Sequence, residues 1–522
     1  MPAPPTDARP SPHAPDHLQV VWLKRDLRVT DHRPLCEAAG RGPVLPLYIV
    51  EPQVVNAPDF SARHWAFIRE SLQALREALA ARGQPLVVRQ GDAVPTFQRL
   101  YEAAGAFTLW AHEETGNART FARDVNVRRW ARVHALPFHE IRQHGVFRGL
   151  EDRDTWSDRW TAHMADPPVA PPEALRPVPI RPGTIPTADN LGLTASYDTV
   201  QRGGAAAGER VLRSFLETRG RRYHKQLSSP NTAFDHCSRL SPHLAWGTVS
   251  LRSVLHATRK RQADVGRAAP WHRALAAFES RLHWHDHFIQ KLESAPRIEH
   301  ESFIPALDAL RADAFNAAHY EAWTEGRTGY PLVDACMRAL TATGYLNFRM
   351  RAMLVSFAAY DLWLDWRRFK DVLARRWTDY EPGIHFSQLQ MQSGTTGINA
   401  LRMYDPTKQA REHDPDGAFI RRWLPALAPV PTAYVHAPWL MPRSVQASCG
   451  CRIGRTYPAP IVRHETAVTQ ARQRIAAARK RPAVQQQAAE ILERHGSRRG
   501  RRGKGASSTS NTPPDRQQTL DL

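Results

Sequence analysis

Two periodicities share this chain, and the point where one gives way to the other limits the folds open to it. Between "LQVVWLKRDLRVTD" and "VHALPFHEIRQHGVFRG", short β-rich runs ("VVWL", "VLPLYIV", "PLVVRQ", "FTLWAH") alternate with helical stretches such as "SARHWAFIRESLQALREALAARG". Strands separated by helices are the pattern of a doubly wound parallel sheet, so an α/β domain is expected over residues 18–150. Residues 151–205 then carry "ADPPVAPPEALRPVPIRPGTIP", where prolines remove helix donors and favour an extended interdomain linker. From 206 to 460 the pattern is helical, rich in tryptophan and poor in strand-like alternation, so the second domain is expected to be all-α.

At 522 residues and 42% hydrophobic content, the chain is long enough for two cores. Residues 1–17 are proline-rich, lack the apolar stretch of a secretory signal and read as a disordered tail. Residues 461–522 end in "RHGSRRGRRGKGASSTSNTPPDRQQ" and are expected to be a basic, largely disordered tail, either solvated or grazing DNA. No apolar run approaches the roughly 18 residues of a membrane span, and five scattered cysteines suit a reducing compartment. The expectation is a soluble, cytoplasmic, bacterial-type monomer without a membrane partner. Lys and Arg number 71 against 51 Asp and Glu, a net charge of +20 that points to a polyanion.

Several chemistries are disfavoured. "KRDLRVTD" follows the first strand where a dinucleotide fold would place G-x-G-x-x-G, and Walker, H-E-x-x-H and G-x-S-x-G motifs are missing. In "HWHDHF", His283 and His287 share a helical face with His285 on another, but no third ligand is placed and no metal site is read. Cys449 and Cys451 with Cys336 lack the C-x-x-C spacing of a cluster set. In "CSRLSPHLAWG", Ser238 and Ser241 precede a helical pattern and suit either a phosphate cradle or an ordinary cap. "TGYLNFRMRAMLVSFAAYDL" reads as a helix apolar on nearly every face, yet holds Arg349 and Arg351, and a buried guanidinium requires an anion nearby. Asp379 and Glu381 in "WTDYEPGIHFSQLQMQSGTTG" are the candidates, in a ligand site or in a purely structural pair.

In this order the stretches resemble the DNA photolyase/cryptochrome flavoprotein family over residues 18–460. "VVWLKRDLRVTDHRPL" is similar to the opening of its antenna domain; "CSRLSPHLAWG", "EGRTGYPLVDACMRAL" and "DPTKQAREHDPDGAFIRRWLPAL" are similar to its flavin domain. The resemblance implies FAD bent inside the helical domain, and leaves open whether the first holds an antenna chromophore, which could be a folate, a deazaflavin or a second flavin. It puts the FAD phosphates on Ser238, Leu240 and Ser241, with Cys237, Arg239 and Tyr223 alongside. Arg351 pairs with Asp379 beside the flavin ring, next to Tyr380 and Glu381. Damaged DNA would meet Arg281, Trp284, Arg349 and Gln409. The implied function is light-driven repair of cyclobutane pyrimidine dimers by electron transfer from reduced FAD. The alternatives are a cryptochrome-like blue-light receptor and, more remotely, a light-independent nucleic-acid-binding protein.

The departures from the family pattern are specific. In "DYEPGIH", His385 takes the place of the Asn opposite the flavin's reactive nitrogen, although a second register puts Gly383 there. Of the three relay tryptophans only the middle one, Trp366, is present; Leu389 replaces the inner one, and the outer position falls near Asp313 or Phe315. A rerouted path through Trp363, at helical spacing from Trp366, and Trp377 is expected. In the lesion pocket Arg281 replaces Glu, Phe348 and Ala352 replace Asn and Met, and Met391 replaces a second Trp. The histidine pair of the (6-4) class reads Asn347 and Ala352.

Overall fold

The structure is a computed structural model and describes residues 17–194, 197–267, 270–312, 314–397 and 401–495. Strands β1 (Gln19–Leu23), β2 (Val44–Val50), β3 (Val87–Gln90), β4 (Thr108–His112) and β5 (Phe138–Ile141) form one sheet in the order β3-β2-β1-β4-β5. All four pairings are parallel, with Val20 opposite Leu45 and Leu109. Parallel neighbours need a crossover, supplied here by helices Arg33–Ala39, Ala62–Ala80, Ala93–Ala104 and Ala118–Val133. Both faces are covered: Val20 and Trp22 enter one core with Phe97 and Trp130, Val21 and Leu23 the other with Trp65 and Ile68. The edge strand β5, "FHEI", is half-covered and has no continuous apolar run, so the four runs read from the sequence omit it.

The expected linker differs in two ways. It opens with a helix, Trp156–Ala165, whose Trp156, Trp160 and Met164 lie at i, i+4 and i+8 and enter the helical core beside Phe215 and Phe278. Beyond it the proline-rich segment is docked rather than free. The carbonyls of Pro172, Pro182 and Pro186 accept hydrogen bonds from Arg82, from Val88 and from the Trp65 indole of the α/β domain. Prolines donate nothing, but their carbonyls remain available.

The helical domain is organised around helix Trp271–Ser294, which packs along Pro382–Ser393. A side chain at Gly383 would come within 2.5 Å of the Ile289 Cα, so this crossing needs glycine. "TGYLNFRMRAMLVSFAAYDL" is not a single helix. Helix Pro331–Thr343 ends on left-handed Gly344, a new helix runs Phe348–Ser356, and a π turn follows at Phe357–Asp361. The expected C-terminal tail is likewise partly folded, as helices His464–Arg479 and Pro482–His495. Val468, Ala471, Ile475 and Ala478 bury one face of the first; a stripe built largely of alanine is hard to see in a basic composition. Residues 1–16 and 496–522 lie outside the described ones. Among the described residues no helix is long and apolar enough to cross a membrane.

One buried carboxylate fastens the start of helix Pro331–Thr343. Asp334 accepts from Thr328 N (2.7 Å), Thr328 Oγ1 (2.6 Å), Gly329 N (3.0 Å) and the Tyr457 hydroxyl (2.6 Å). Removing it strands four donors in a dry interior. Asp334→Ala is expected to cost about 3–5 kcal/mol in urea unfolding, and Tyr457→Phe about 1 kcal/mol. Equal, sub-kcal losses for both would contradict this account.

Candidate functional site

The cation left open by the sequence finds its anion across a short gap. Arg351, on helix Phe348–Ser356, donates from Nη1 to Asp379 Oδ1 (3.1 Å) and from Nη2 to Oδ2 (2.8 Å), a two-pronged contact. Its Nε donates to the Leu346 carbonyl at 2.8 Å, and its guanidinium lies 4.2 Å over the Trp377 ring. Burial pushes the Asp379 carboxyl up, but the Arg351 charge and its hydrogen bonds outweigh that and hold it below its ordinary value. Ser241 adds a further hydrogen bond to the same carboxylate.

This pair forms one side of a cavity of about 560 Å³ between helices Phe348–Ser356, Trp366–Arg376 and Pro382–Ser393. Phe348, Val355, Leu373, Trp377 and Leu389 supply apolar walls. Two lining residues that sequence reasoning missed are Gln388 and Gln392, one helical turn apart. Their carboxamides are buried with no hydrogen-bond partner. Stranded amides beside a guanidinium and flat apolar walls suit a planar heterocycle whose rim both donates and accepts, as the FAD ring does. His385 lines this cavity; Gly383 does not, since its missing side chain faces Ile289. His385 Nε2 lies 3.0 Å from the Lys370 carbonyl, which can only accept, so Nε2 carries the proton and Nδ1 the lone pair. Burial brings the imidazole down to about 4, so it is neutral at pH 7.

The serine stretch adjoins the pair. Ser241 opens helix Ser241–Ala245, and Ser238 Oγ accepts from Leu240 N at 3.4 Å. Between them Arg239 has φ +61, in the left-handed region, with its guanidinium 3.6 Å from the Tyr345 ring and 4.1 Å from Phe234. Its Nη2 donates to Gln201, but its Nη1 is buried with no partner, which fits a phosphate oxygen. The Cys237 thiol is pushed up to about 11 by burial and is not a reactive thiolate. Tyr223 packs on Phe215 and Phe278 and hydrogen-bonds Arg281.

The aromatic path read from the sequence is only partly assembled. Trp366 is buried with its indole on Ser302 Oγ (3.2 Å) at one end of helix Trp366–Arg376, and Trp377 lies just past the other. Eleven residues of helix separate them by roughly 16 Å. Trp363 is not on that helix: at φ +54 it sits in the preceding bend, packed with Tyr360, Ala471 and Ile475 under Arg311. Phe315 is exposed, and Asp313 lies outside the described residues.

Of the DNA candidates, Trp284 is partly exposed with Arg281 5.1 Å over its ring, and Arg349 is partly exposed near His413. Gln409 is not open: it is 7% exposed, with Nε2 turned to Glu412. Its helix, Pro406–His413, instead presents Lys408 and Arg411 to solvent, half a turn away.

The described histidines and cysteines singled out in the sequence do not gather as a ligand set; one other group does. Asp26 Oδ2 lies 2.9 Å from His32 Nε2 and 2.7 Å from His112 Nδ1, all buried. His32 Nδ1 accepts from Leu35 N, so its Nε2 must carry a proton and cannot coordinate. The trio is a hydrogen-bond network.

A second cavity, about 800 Å³, lies beyond the C-terminal ends of β1 and β2, where open α/β sheets bind ligands. Buried charges line it: Arg123 pairs with Glu51 at 2.7 Å and with Glu114 at 2.5 Å. Trp246, Tyr380 and Pro382 of the helical domain close it.

Residues 19–152 match the family model described as DNA photolyase, and residues 278–477 the FAD binding domain of DNA photolyase. The chain is 31% identical over 471 residues to a cryptochrome DASH of Natronomonas pharaonis, covering 85% of this chain and 97% of that protein. It is 30% identical over 492 residues to the deoxyribodipyrimidine photo-lyase of Escherichia coli, covering 88% and 99%. A bacterial class III photolyase structure from Agrobacterium tumefaciens superposes with a TM-score of 0.80 at 25% identity, over 91% of this chain and 100% of that one.

The Arg351–Asp379 contact sets a pH dependence. A carboxyl held low in the folded state adds stability above its unfolded value near 4, and loses it as pH falls through the lower folded value. Asp379→Asn is therefore expected to lose roughly 2 kcal/mol at pH 7, less than for a fully buried pair because Arg351 keeps some exposure. The gap to the parent should close below about pH 4. A gap constant from pH 7 to pH 3 would show that the ion pair is not its source.

Proposed function

Because the chain belongs to the DNA photolyase/cryptochrome family, we propose that it is a light-driven repair enzyme that holds FAD in the Arg351–Asp379 cavity and acts on cyclobutane pyrimidine dimers in DNA. The observation that carries this reading is the combination of a half-buried guanidinium, Arg351, with two partnerless carboxamides, Gln388 and Gln392, around a space with apolar walls. Held there in its reduced form, FAD would supply the light-driven electron transfer that splits the dimer and recovers the electron.

The residues supply binding and electrostatics. Arg351 is a fixed positive charge in a water-poor space, where it stabilises negative charge on the ring far better than in water. Asp379 aims it and, through Ser241, ties it to the serine stretch that would hold the phosphates. Arg239 Nη1 would meet a phosphate oxygen. The His385 Nδ1 lone pair would accept a hydrogen bond from the ring's reactive nitrogen, in the register that Gly383's packing favours. Outside, Lys408, Arg411, Arg349 and Arg281 would supply positive charge for DNA phosphates, with Trp284 as the stacking face for an extruded lesion.

A receptor reading has one observation of its own. His464 Nδ1 meets Asp361 Oδ1 at 2.5 Å, tying the C-terminal helices to the π turn that continues the Arg351 helix. Such a clip could report a change in the cavity to the tail.

The deciding measurement is blue-light repair of oligonucleotides carrying either a cyclobutane dimer or a (6-4) product, with release and identification of the bound chromophores. Dimer restoration with FAD released is the expected result; lesion binding without restoration favours the receptor. Trp284→Ala is expected to remove the preference for damaged over undamaged DNA, at about 1–3 kcal/mol for a lost stacking partner. Lys408→Ala with Arg411→Ala should weaken both DNAs alike and lower the salt slope by about one unit per lost phosphate contact.

A further inference from the structure

Tyr380 lines both cavities, that of the helical domain and that of the α/β domain, so its ring belongs to the wall between them. Its hydroxyl donates to Asp59 Oδ2 of the α/β domain at 2.9 Å. Asn117 Nδ2 donates to the same Oδ2 at 2.9 Å, and Arg119 Nη1 lies 3.3 Å from Oδ1. The ring meets His385 edge-on at 5.2 Å and lies nearly parallel to His64, 6.0 Å away, with Trp246 beyond. Both imidazoles are brought down to about 4 by burial and are neutral at pH 7.

A phenol is hard to oxidise unless its proton can leave with the electron, so a carboxylate within hydrogen-bond reach lowers the cost. The other aromatic residue with a one-electron potential in this range on the cavity wall is Trp377, and its situation is the opposite. The Arg351 guanidinium, 4.2 Å over its face, favours the neutral ring and opposes positive charge on it. Trp366 lies at the far end of a helix, and the position nearest the cavity in the usual relay is Leu389.

We propose that Tyr380 is the redox-active residue that reduces the photoexcited flavin, passing one electron to it while its hydroxyl proton crosses to Asp59. The balance is one electron lost by Tyr380 and gained by the flavin, and one proton moved from the phenol oxygen to Oδ2. What remains is a neutral tyrosyl radical beside a protonated Asp59. The inference rests on the reading of the helical-domain cavity as a flavin site.

The test uses the full-length protein with the flavin it carries, oxidised and illuminated with blue light, then frozen for electron paramagnetic resonance. The parent is expected to give a neutral tyrosyl signal whose hyperfine structure collapses when ring-deuterated tyrosine is incorporated. Tyr380→Phe should abolish it. Asp59→Asn keeps a hydrogen-bond partner but cannot take a proton, and should slow radical formation by about 10²-fold or more, the lower end for a positioned proton acceptor. A tyrosyl signal undiminished in Tyr380→Phe, a rate unchanged in Asp59→Asn, or an indole radical as the sole product in the parent overturns the proposal. A purified protein without flavin absorption overturns the cavity reading first, and the proposal with it.

Discussion

The Arg351–Asp379 contact is the constraint around which the helical domain is arranged. Neither charge is comfortable in a low-dielectric interior, and the two-pronged geometry, with Leu346's carbonyl and Ser241's hydroxyl as further partners, is what makes burial tolerable. To meet, the two residues need the helix Phe348–Ser356 and the turn before Pro382–Ser393 at a fixed separation. The gap between those elements is the cavity. Gly344 permits the turn into the first helix, where a side chain would strike Thr378 Oγ1, and Gly383 lets the second press on Ile289.

The α/β domain contributes directly to this arrangement. Arg25, just past β1, reaches into the helical domain and donates to the Ala245 and Tyr380 carbonyls at 2.8 and 2.6 Å, pairs with Glu381, and lies over Trp246. Gly247 allows the approach, since a side chain there would fall 2.1 Å from the Arg25 carbonyl. The segment Thr378–Glu381 is thus held from both sides, by Arg351 through Asp379 and by Arg25 through Glu381. Tyr380, within it, becomes the partition between the two cavities. A parallel sheet presents its strand ends as a binding edge; here that edge is capped by Trp246, Tyr380 and Pro382 of the helical domain.

The sequence exposed the parts of this plan that rest on pattern. Four of five strands were continuous apolar runs, the change to helical periodicity marked the domains, and Arg351 announced an anion because arginine stays charged. What it hid follows from the same physics. β5 is an edge strand with little to bury; the C-terminal helices hide their apolar stripe in alanines; the proline-rich segment is fixed by carbonyls, which every residue carries. Gln388 and Gln392 have no sequence signal as site residues, because only the absence of partners around a buried amide distinguishes them. Gln409 was misjudged in the other direction, since half a helical turn separates a buried glutamine from exposed Lys408 and Arg411. Trp363 is not at helical spacing from Trp366, because a bend intervenes and spacing counts as proximity only within one helix.

Fixed charges also decide what each aromatic ring around the cavity can do. A guanidinium on the face of Trp377 and another over Trp363 work against a positive ring, so the chain has placed cations where a tryptophan relay would need to carry a hole. Tyr380 has no cation on its ring face: it stands between two neutral imidazoles, and its hydroxyl meets a carboxylate that offers the proton a destination, while Arg25 and Arg119 act on its backbone carbonyl and on the far oxygen of Asp59. Leu389, where the family resemblance would put the inner tryptophan, and the charge over Trp377 point the same way. With Arg351 stacked on its face, Trp377 is a poor donor, and the route proposed above leaves instead through Tyr380, whose hydroxyl meets Asp59.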